Sequence, residues 1–159
     1  MIPRPLAPMI LSVLVGCVSS PNLTPDDVRD LTHVVIVDFF SRYSPQEWPH
    51  IYVTDEYLGA SLDSAFLARL PTDSVPTSLA TRADVEVSPD LIVGGALLLQ
   101  PSRPVPSTDV RAIPNAPGGG VDEVLTFTST SDFGGAFEYH LERSLGGWRI
   151  RRITVLWQA

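Results

Sequence analysis

Residues 137–150 read FEYHLERSLGGWRI, and this pattern predicts a β-hairpin at the end of the chain. Apolar and polar side chains alternate from Phe137 to Glu142, as in a strand with one buried face and one solvated face. Gly146 and Gly147 then fit a two-residue hairpin turn. After this turn the chain is expected to return as an antiparallel strand that runs to Trp157.

In the returning strand the apolar side chains stand at even-numbered positions up to Ile150 and at odd-numbered positions from Ile153 onward. A bulge near Arg151 and Arg152 would restore one core face for all the apolar residues of this strand. These residues are Trp148, Ile150, Ile153, Val155 and Trp157.

Further strands are predicted upstream of the hairpin. They correspond to an apolar run at Leu91–Leu99 and to a β-branched, aromatic run at Val124–Thr130. The connection between them, Gln100–Gly120, holds five prolines and a triple glycine, and we expect a short strand within it at Asp109–Ile113. The pair Gly134–Gly135 beside the next strand indicates a bulge or a close approach of two backbones.

The part of the chain that precedes these strands is predicted to be mainly helical. Residues 24–43 begin with an N-cap threonine and a proline, and they continue with apolar side chains at helical spacing. Residues 51–58 fit a short strand or turn, and residues 61–70 fit a second helix. Residues 71–89 are polar and rich in proline, which predicts a loop with a short strand at 84–87.

The N-terminus predicts a secretion leader at residues 1–16. Arg4 is followed by an apolar run at Leu6–Val15, which is about half as long as the roughly 20 residues that cross a bilayer as a helix. The run ends in Leu14-Val15-Gly16-Cys17, which resembles the lipobox of bacterial lipoproteins. The resemblance implies cleavage before Cys17 and attachment of a diacylglycerol, with acyl chains such as palmitate, to its thiol.

The expected mature protein is a lipidated tether at residues 17–23 followed by one domain at residues 24–159. Two acyl chains suffice for stable anchoring in a membrane. Val18 stands at the position where an aspartate would retain an enterobacterial lipoprotein in the inner membrane. We therefore expect an envelope protein on the periplasmic face of the outer membrane, where the host has one.

The composition excludes several classes of function. The net charge is −7 and the chain has no lysine, so we do not expect it to bind nucleic acid. Arg149, Arg151 and Arg152 form the one dense basic stretch, which reads as solvated strand positions rather than an anion site. Cys17 is the only cysteine, so lipidation leaves no thiol for a disulfide, a nucleophile or a zinc site.

Helices followed by a sheet that ends in this hairpin resemble the NTF2-like superfamily, which is also called SnoaL-like or cystatin-like. The resemblance rests on residues 24–43 and 137–150 and covers about half of the mature chain. It implies an α+β fold in which N-terminal helices pack on a curved antiparallel β-sheet and leave a cone-shaped pocket. Members include isomerases, dehydratases, cyclases and non-catalytic binding modules, so the fold does not fix the function.

Asp38 is the most informative single residue of the predicted first helix. On the helical wheel its carboxylate falls between Val34 and Leu31, inside apolar surface. A carboxylate in such surroundings is expected to be paired or to face a pocket. Asp38 is therefore a candidate general acid or base, and the structural alternative is a position at the rim of the core.

For the other side chains that could bind a ligand, a structural role is the default expectation. Tyr43, Tyr57 and Trp148 are candidates for lining a ligand pocket, although packing in an aromatic core is the default expectation. The three histidines are His33, His50 and His140, and they lack the spacing of metal ligands. We expect them on the surface or hydrogen-bonded, and we predict neither a metal nor a cofactor.

The leading functional hypothesis is a non-catalytic, membrane-anchored envelope lipoprotein that binds a small apolar ligand or a protein partner. The alternative is an NTF2-like enzyme of the isomerase, dehydratase or cyclase type with Asp38 as its general acid or base. A third hypothesis places a partner surface on the loop Gln100–Gly120. An enclosed pocket with Asp38 and a tyrosine inside would favour the enzyme, whereas a core filled by side chains would favour a structural or interaction role.

Overall fold

A computed structural model describes residues 22–86, 95–107, 120–129 and 133–159 of the chain. The predicted leader, Cys17 and the strand predicted at Asp109–Ile113 lie outside the described residues. The described helices are α1 (Pro25–Arg42), α2 (Ser64–Ala68) and α3 (Arg82–Glu86), with a 3₁₀ turn at Pro45–Glu47. The described strands are β1 (Ile51–Val53), β2 (Thr77–Leu79), β3 (Leu97–Pro101), β4 (Val105–Pro106), β5 (Gly120–Ser129), β6 (Gly134–Ser144) and β7 (Gly147–Gln158).

The strands form one mixed, curved, open sheet in the order β2-β1-β3-β5-β6-β7, with β4 paired to β5. The α+β class is confirmed, but the expectation of a wholly antiparallel sheet is wrong. Strand β1 runs parallel to both of its neighbours, β2 and β3. The reason is that the chain crosses over through α2 after β1 and re-enters the sheet in the same direction.

Helix α1 begins as the sequence predicts. The Thr24 hydroxyl accepts a hydrogen bond from the Asp27 backbone N–H at 3.1 Å, and the Asp27 carboxylate accepts one from the Thr24 N–H at 3.0 Å. This capping box satisfies backbone donors that the first turn would otherwise leave unpaired. Arg143 of β6 also contacts the Asp27 carboxylate, at 2.5 Å, and so ties the start of the helix to the sheet.

The buried face of α1 packs on the core face of β5 and β6. The Phe39 ring lies 5.0 Å from the Phe127 ring and 4.8 Å from the Tyr43 ring, measured between centroids. Phe127 in turn stacks on Phe137 of β6 at 5.3 Å. These aromatic rings fill the space between the C-terminal half of α1 and the sheet.

The terminal hairpin is confirmed, with its turn one residue earlier than predicted. Ser144 pairs with Gly147, so the two turn residues are Leu145 and Gly146. Gly147 has a φ of 112°, a backbone conformation that side chains other than hydrogen disfavour. This conformation explains the glycine at position 147.

The bulge predicted near Arg151 is present, because Leu141 pairs with Ile150 whereas His140 pairs with Arg152. Ile153 therefore joins Ile150 and Trp148 against the core. Val155 lies on the face of its core partner Phe137 but is 57% exposed, and the prediction is wrong for Trp157, which is 49% exposed. A second irregularity lies between these two residues and turns Trp157 to the other face of the sheet.

The segment before β3 differs most from the sequence prediction. A strand was expected at 84–87, but residues 82–86 form α3. The Thr81 hydroxyl accepts from the Asp84 N–H at 3.1 Å, and the Asp84 carboxylate accepts from the Thr81 N–H at 3.2 Å. This local capping box outweighs the weak strand preference of the segment.

Gly135 is required by a close approach of side chain and backbone. A Cβ at this position would lie 2.6 Å from the Phe127 ring and 2.9 Å from the Trp157 carbonyl oxygen. We expect Gly135→Ala to lower the free energy of unfolding by about 1–3 kcal/mol, because the core must shift to admit the methyl group. Gly146→Ala is the matched control, since a Cβ there meets nothing within 4 Å. Urea denaturation that gave equal losses for the two variants would refute this explanation.

Candidate functional site

A groove of about 490 Å³ lies beside the N-terminal end of α1. Its walls come from the first turns of the helix, from the turn at Gly59 and from the segment that contains β4. The lining residues used below are Leu23, Val28, Gly59, Arg103, Val105 and Val121. The surface of the groove is about half polar and half apolar, and its volume falls in the range of small-molecule sites.

The proline-rich wall of the groove is held in place by backbone pairing. Val105 and Pro106 of β4 pair with Asp122 and Val121 of β5. The Ser107 N–H also donates to the Gly120 carbonyl at 2.9 Å. Proline fixes its own backbone torsion, so this wall is stiff although its regular strand is only two residues long.

A buried carboxyl group lies close to the groove, on the strand that supplies Val121 to its lining. Thr32 follows the floor residue Val28 by one helical turn, and Glu123 follows Val121 by two positions on the same face of β5. The Thr32 hydroxyl donates to Glu123 Oε1 at 2.9 Å. Glu123 is fully buried, and its Oε2 has no hydrogen-bond partner in the protein.

Burial controls the ionisation of this carboxyl group. Desolvation raises the pKa of Glu123 to about 8, and the hydrogen bond from Thr32 opposes that shift only in part. Glu123 is therefore mainly protonated at neutral pH. A neutral carboxylic acid can donate one hydrogen bond and accept others, which suits a polar contact inside an apolar environment.

Tyr139 is the cross-strand partner of Glu123, so the two side chains share the core face. The Tyr139 hydroxyl is buried and also lacks a hydrogen-bond partner. Burial raises the pKa of Tyr139 above its usual range, and the nearby Asp38 carboxylate adds to the effect. Two neighbouring strands thus place buried polar groups beneath α1, with Glu123 under Thr32 and Tyr139 toward Asp38 and Arg42.

Asp38 lies at the rim of the helix–sheet interface. Its carboxylate accepts a hydrogen bond from Arg42 Nε at 2.8 Å, one helical turn along. The Asp38 side chain is 23% exposed and its carboxylate faces Arg42. The pairing corresponds to the structural alternative for this residue, with a charged partner that the sequence analysis did not name.

The aromatic candidates do not converge on one site. Tyr43 is the C-cap of α1 and belongs to the aromatic core, with its hydroxyl accepting from Gln158 Nε2 at 3.1 Å. Tyr57 is 57% exposed. The Arg143 guanidinium carbon lies over the Trp148 ring, 5.3 Å from the centroid of that ring. Tyr43 therefore shares an end of α1 with Asp38, whereas Trp148 lies near the opposite end.

A hydrogen-bonded row crosses the other face of the sheet. His140 Nδ1 lies 2.7 Å from Asp122 Oδ1, and His140 Nε2 lies 3.2 Å from both Thr154 Oγ1 and Arg152 Nη2. Glu138 Oε2 lies 3.4 Å from the same Nε2 nitrogen. The row joins β5, β6 and β7 and satisfies a buried histidine.

The basic stretch of β7 is engaged within the protein. Arg149 Nε donates to Glu142 Oε1 at 2.5 Å, and Arg151 Nη1 lies 3.4 Å from Glu142 Oε2. Arg152 contacts His140. These pairings agree with strand positions that are solvated and internally neutralised, rather than with an anion site.

The remaining histidines also have structural partners. His33 Nε2 lies 3.2 Å from the Arg69 carbonyl oxygen. His50 stacks on Tyr52 at a centroid distance of 4.3 Å, and its Nε2 lies 3.0 Å from Ser78 Oγ. Within the described ranges, no group of three or more His, Cys, Asp or Glu side chains is arranged to hold a metal ion.

The sequence analysis missed Glu123 and Arg103. The signal for Glu123 was available, because the period of two places it on the same face as Leu125 and Phe127. A carboxylate on that face should have been expected inside the core. Arg103 offered no such signal, since its position in the groove wall depends on the tertiary contact with Gly59.

Comparison with known proteins adds no family to this description. No family model, curated protein or solved structure matches the chain. In the part of the chain that the structure describes, no helix is both long and apolar enough to cross a membrane. The candidate site is thus defined by the groove, the neutral carboxyl group behind it and the guanidinium at its wall.

Glu123 should make stability depend on pH. Its pKa is about 8 in the folded protein and near the ordinary 4.5 when unfolded, so the folded state holds a proton that the unfolded state releases. The free energy of unfolding should therefore fall as pH rises from about 4.5 to about 8. Glu123→Gln mimics the neutral acid and should flatten this fall, measured by urea denaturation across that range.

The matched control for this experiment is Glu47→Gln, which changes an exposed glutamate in the 3₁₀ turn. It should keep the pH dependence of the unaltered chain. If the free energy of unfolding of the chain with Glu123→Gln fell with pH as steeply as that of the unaltered chain, Glu123 would be ionised in the folded protein at neutral pH. That result would contradict the effect of its burial.

Proposed function

We propose that this chain is a lipid-anchored lipoprotein of the bacterial cell envelope whose domain binds a small apolar ligand in the groove beside α1. The observation that carries the proposal is the position of the groove. Its lining begins at Asn22 and Leu23, which follow Cys17 within a few residues. The binding surface would then lie next to the membrane anchor.

The anchor is supported by the order of the N-terminal signals. A basic residue, an apolar run and the sequence Leu14-Val15-Gly16-Cys17 follow one another as in bacterial lipoproteins. The tether from Cys17 to Asn22 reaches at most about 20 Å when extended. A ligand that leaves the membrane would therefore meet the groove within a short distance, on the periplasmic face of the outer membrane where one exists.

The groove supports binding in preference to the enzyme alternative. Its volume of about 490 Å³ falls in the range of roughly 300–1,000 Å³ that small-molecule sites occupy. Asp38, the candidate acid or base, is paired with Arg42, and packed rings occupy the interface beside it. A protein partner is the remaining alternative, and the loop Gln100–Gly120 lies largely outside the described residues.

We also propose that the fold is NTF2-like. The support is a long N-terminal helix that lies against antiparallel strands and is followed by a glycine-containing terminal hairpin. In this proposal the groove beside α1 takes the place of the superfamily's pocket. The proposal concerns architecture, and ligand binding is argued from the groove itself.

Narrowing the groove should weaken binding of an apolar probe. Val105 is 52% exposed on the groove wall, so Val105→Trp adds bulk there without disturbing the core. The probe is the uncharged fluorophore N-phenyl-1-naphthylamine, titrated against the chain with Cys17→Ser so that no lipid anchor is present. We expect the dissociation constant to rise about tenfold, or about 1.4 kcal/mol.

The control for the groove experiment is Leu156→Trp, which enlarges another half-exposed apolar side chain, on β7. It should leave the dissociation constant unchanged. Equal effects of the two variants, or no saturable binding by the starting chain, would contradict a ligand site in the groove.

A further inference from the structure

The two edges of the sheet differ in length and in protection. Strand β2 ends the sheet on one side, is three residues long and directly follows Pro76. Strand β7 ends it on the other side and extends over twelve residues without a proline. Among the described strands β7 pairs with β6 alone, so backbone N–H and C=O groups along its outer side point away from the sheet. A long open edge of this kind is a template for pairing with another strand.

The open edge also exposes apolar side chains. Val155, Leu156 and Trp157 are 57%, 50% and 49% exposed at consecutive positions of β7. Val155 is exposed although it lies on the face of its core partner Phe137. Monomeric proteins commonly protect an edge strand with prolines or charges, and the stretch from Val155 to Gln158 has neither.

Charge is divided unevenly along β7. Its charged side chains, Arg149, Arg151 and Arg152, all precede Ile153, and none follows up to Gln158. A second copy of β7 that runs antiparallel sets the charged half of each strand against the uncharged half of the other. A parallel copy would place like charges together, which is destabilising. The charge pattern therefore makes β7 complementary to itself in the antiparallel direction.

The bulges of β7 are compatible with this pairing when Ile153 lies on a two-fold axis. Arg151 and Leu156 are the extra residues, because the register with β6 skips both of them. One bulge thus lies on each side of Ile153. Two reversed copies then contain the same number of regular positions on either side of the axis, so side chains that meet across the edge point to the same face of the joined sheet.

This register gives the exposed side chains partners on both faces. On the core face, Val155 lies opposite Ile150 of the second copy, so that two apolar side chains meet. On the other face, Trp157 lies opposite Arg149 of the second copy. Arg149 Nε donates to Glu142, and a guanidinium that donates in its own plane can still stack its flat face on an indole ring.

We propose that two copies of this chain pair through their β7 strands, antiparallel, and form one continuous sheet across a two-fold axis at Ile153. Such an interface is isologous, because the same surface of each copy meets itself. The surface lies on the edge strand and does not include the groove beside α1. The inference therefore goes beyond the proposed function and does not rest on it.

The first test measures the mass of the full chain by sedimentation equilibrium, in a detergent whose density the solvent matches. We expect a monomer–dimer equilibrium. Val155→Arg should raise the dissociation constant of the dimer about tenfold or more, because it sets a charge against Ile150 of the second copy. Val105→Arg is the matched control, since Val105 is a valine of similar exposure, 52%, on β4. It should leave the dimer unchanged.

The second test locates the axis by cross-linking. Cys17→Ser removes the only cysteine of the chain, and Ile153→Cys then places one thiol opposite its own copy, with the Cβ atoms about 5 Å apart. Leu145→Cys is the control, because its exposed side chain lies in the turn at the end of the hairpin. After oxidation with copper phenanthroline, we expect the yield of disulfide-linked dimer to be about tenfold higher at position 153 than at position 145.

The outcomes decide the proposal in either direction. A tenfold weaker dimer with Val155→Arg, an unchanged dimer with Val105→Arg and preferential cross-linking at position 153 would support it. A single-chain mass at every concentration measured would overturn it. A dimer that Val155→Arg does not weaken, or equal cross-linking at the two positions, would also overturn it by placing the contact elsewhere. Circular dichroism checks that each variant is folded, and if Val155→Arg unfolds the chain, the cross-linking yields decide.

Discussion

The contact between the rings of Phe39 and Phe127 joins α1 to the sheet, and the other features take their positions from it. Phe127 lies flat against β6 because Gly135 presents no side chain to it. With this end of the helix fixed, the regular rise of α1 brings Thr32 onto Glu123, and one turn earlier it brings Val28 to the groove. The aromatic core thus determines the geometry of a site at the opposite end of the same helix.

The interior of this helix–sheet interface changes in character along α1. Near Tyr43 it consists of packed rings, and near Thr32 it contains the neutral carboxylic acid of Glu123, whose Oε2 has no hydrogen-bond partner in the described part of the chain. Burying such groups costs stability unless they are hydrogen-bonded. Glu123 lies one step along α1 and β5 from the lining residues Val28 and Val121, so this cost is borne close to the groove, whereas the aromatic end carries the packing.

Sequence reasoning succeeded where local chemistry decides the structure. The capping box at Thr24 fixed the start of α1, and the parity change after Ile150 located the bulge of β7. It failed at the mixed part of the sheet, because β1 and β2 are three residues each and their parallel pairing depends on a crossover. Another Thr-x-x-Asp capping box, at Thr81, was overlooked in favour of a strand.

The most direct test of an anchored ligand-binding domain is native mass spectrometry of the protein expressed from its complete sequence and released gently from bacterial membranes. The account predicts a polypeptide that begins at Cys17, carries a diacylglyceryl group there, and retains a non-covalent small-molecule ligand. A polypeptide without lipid at Cys17 and without any retained ligand would contradict it.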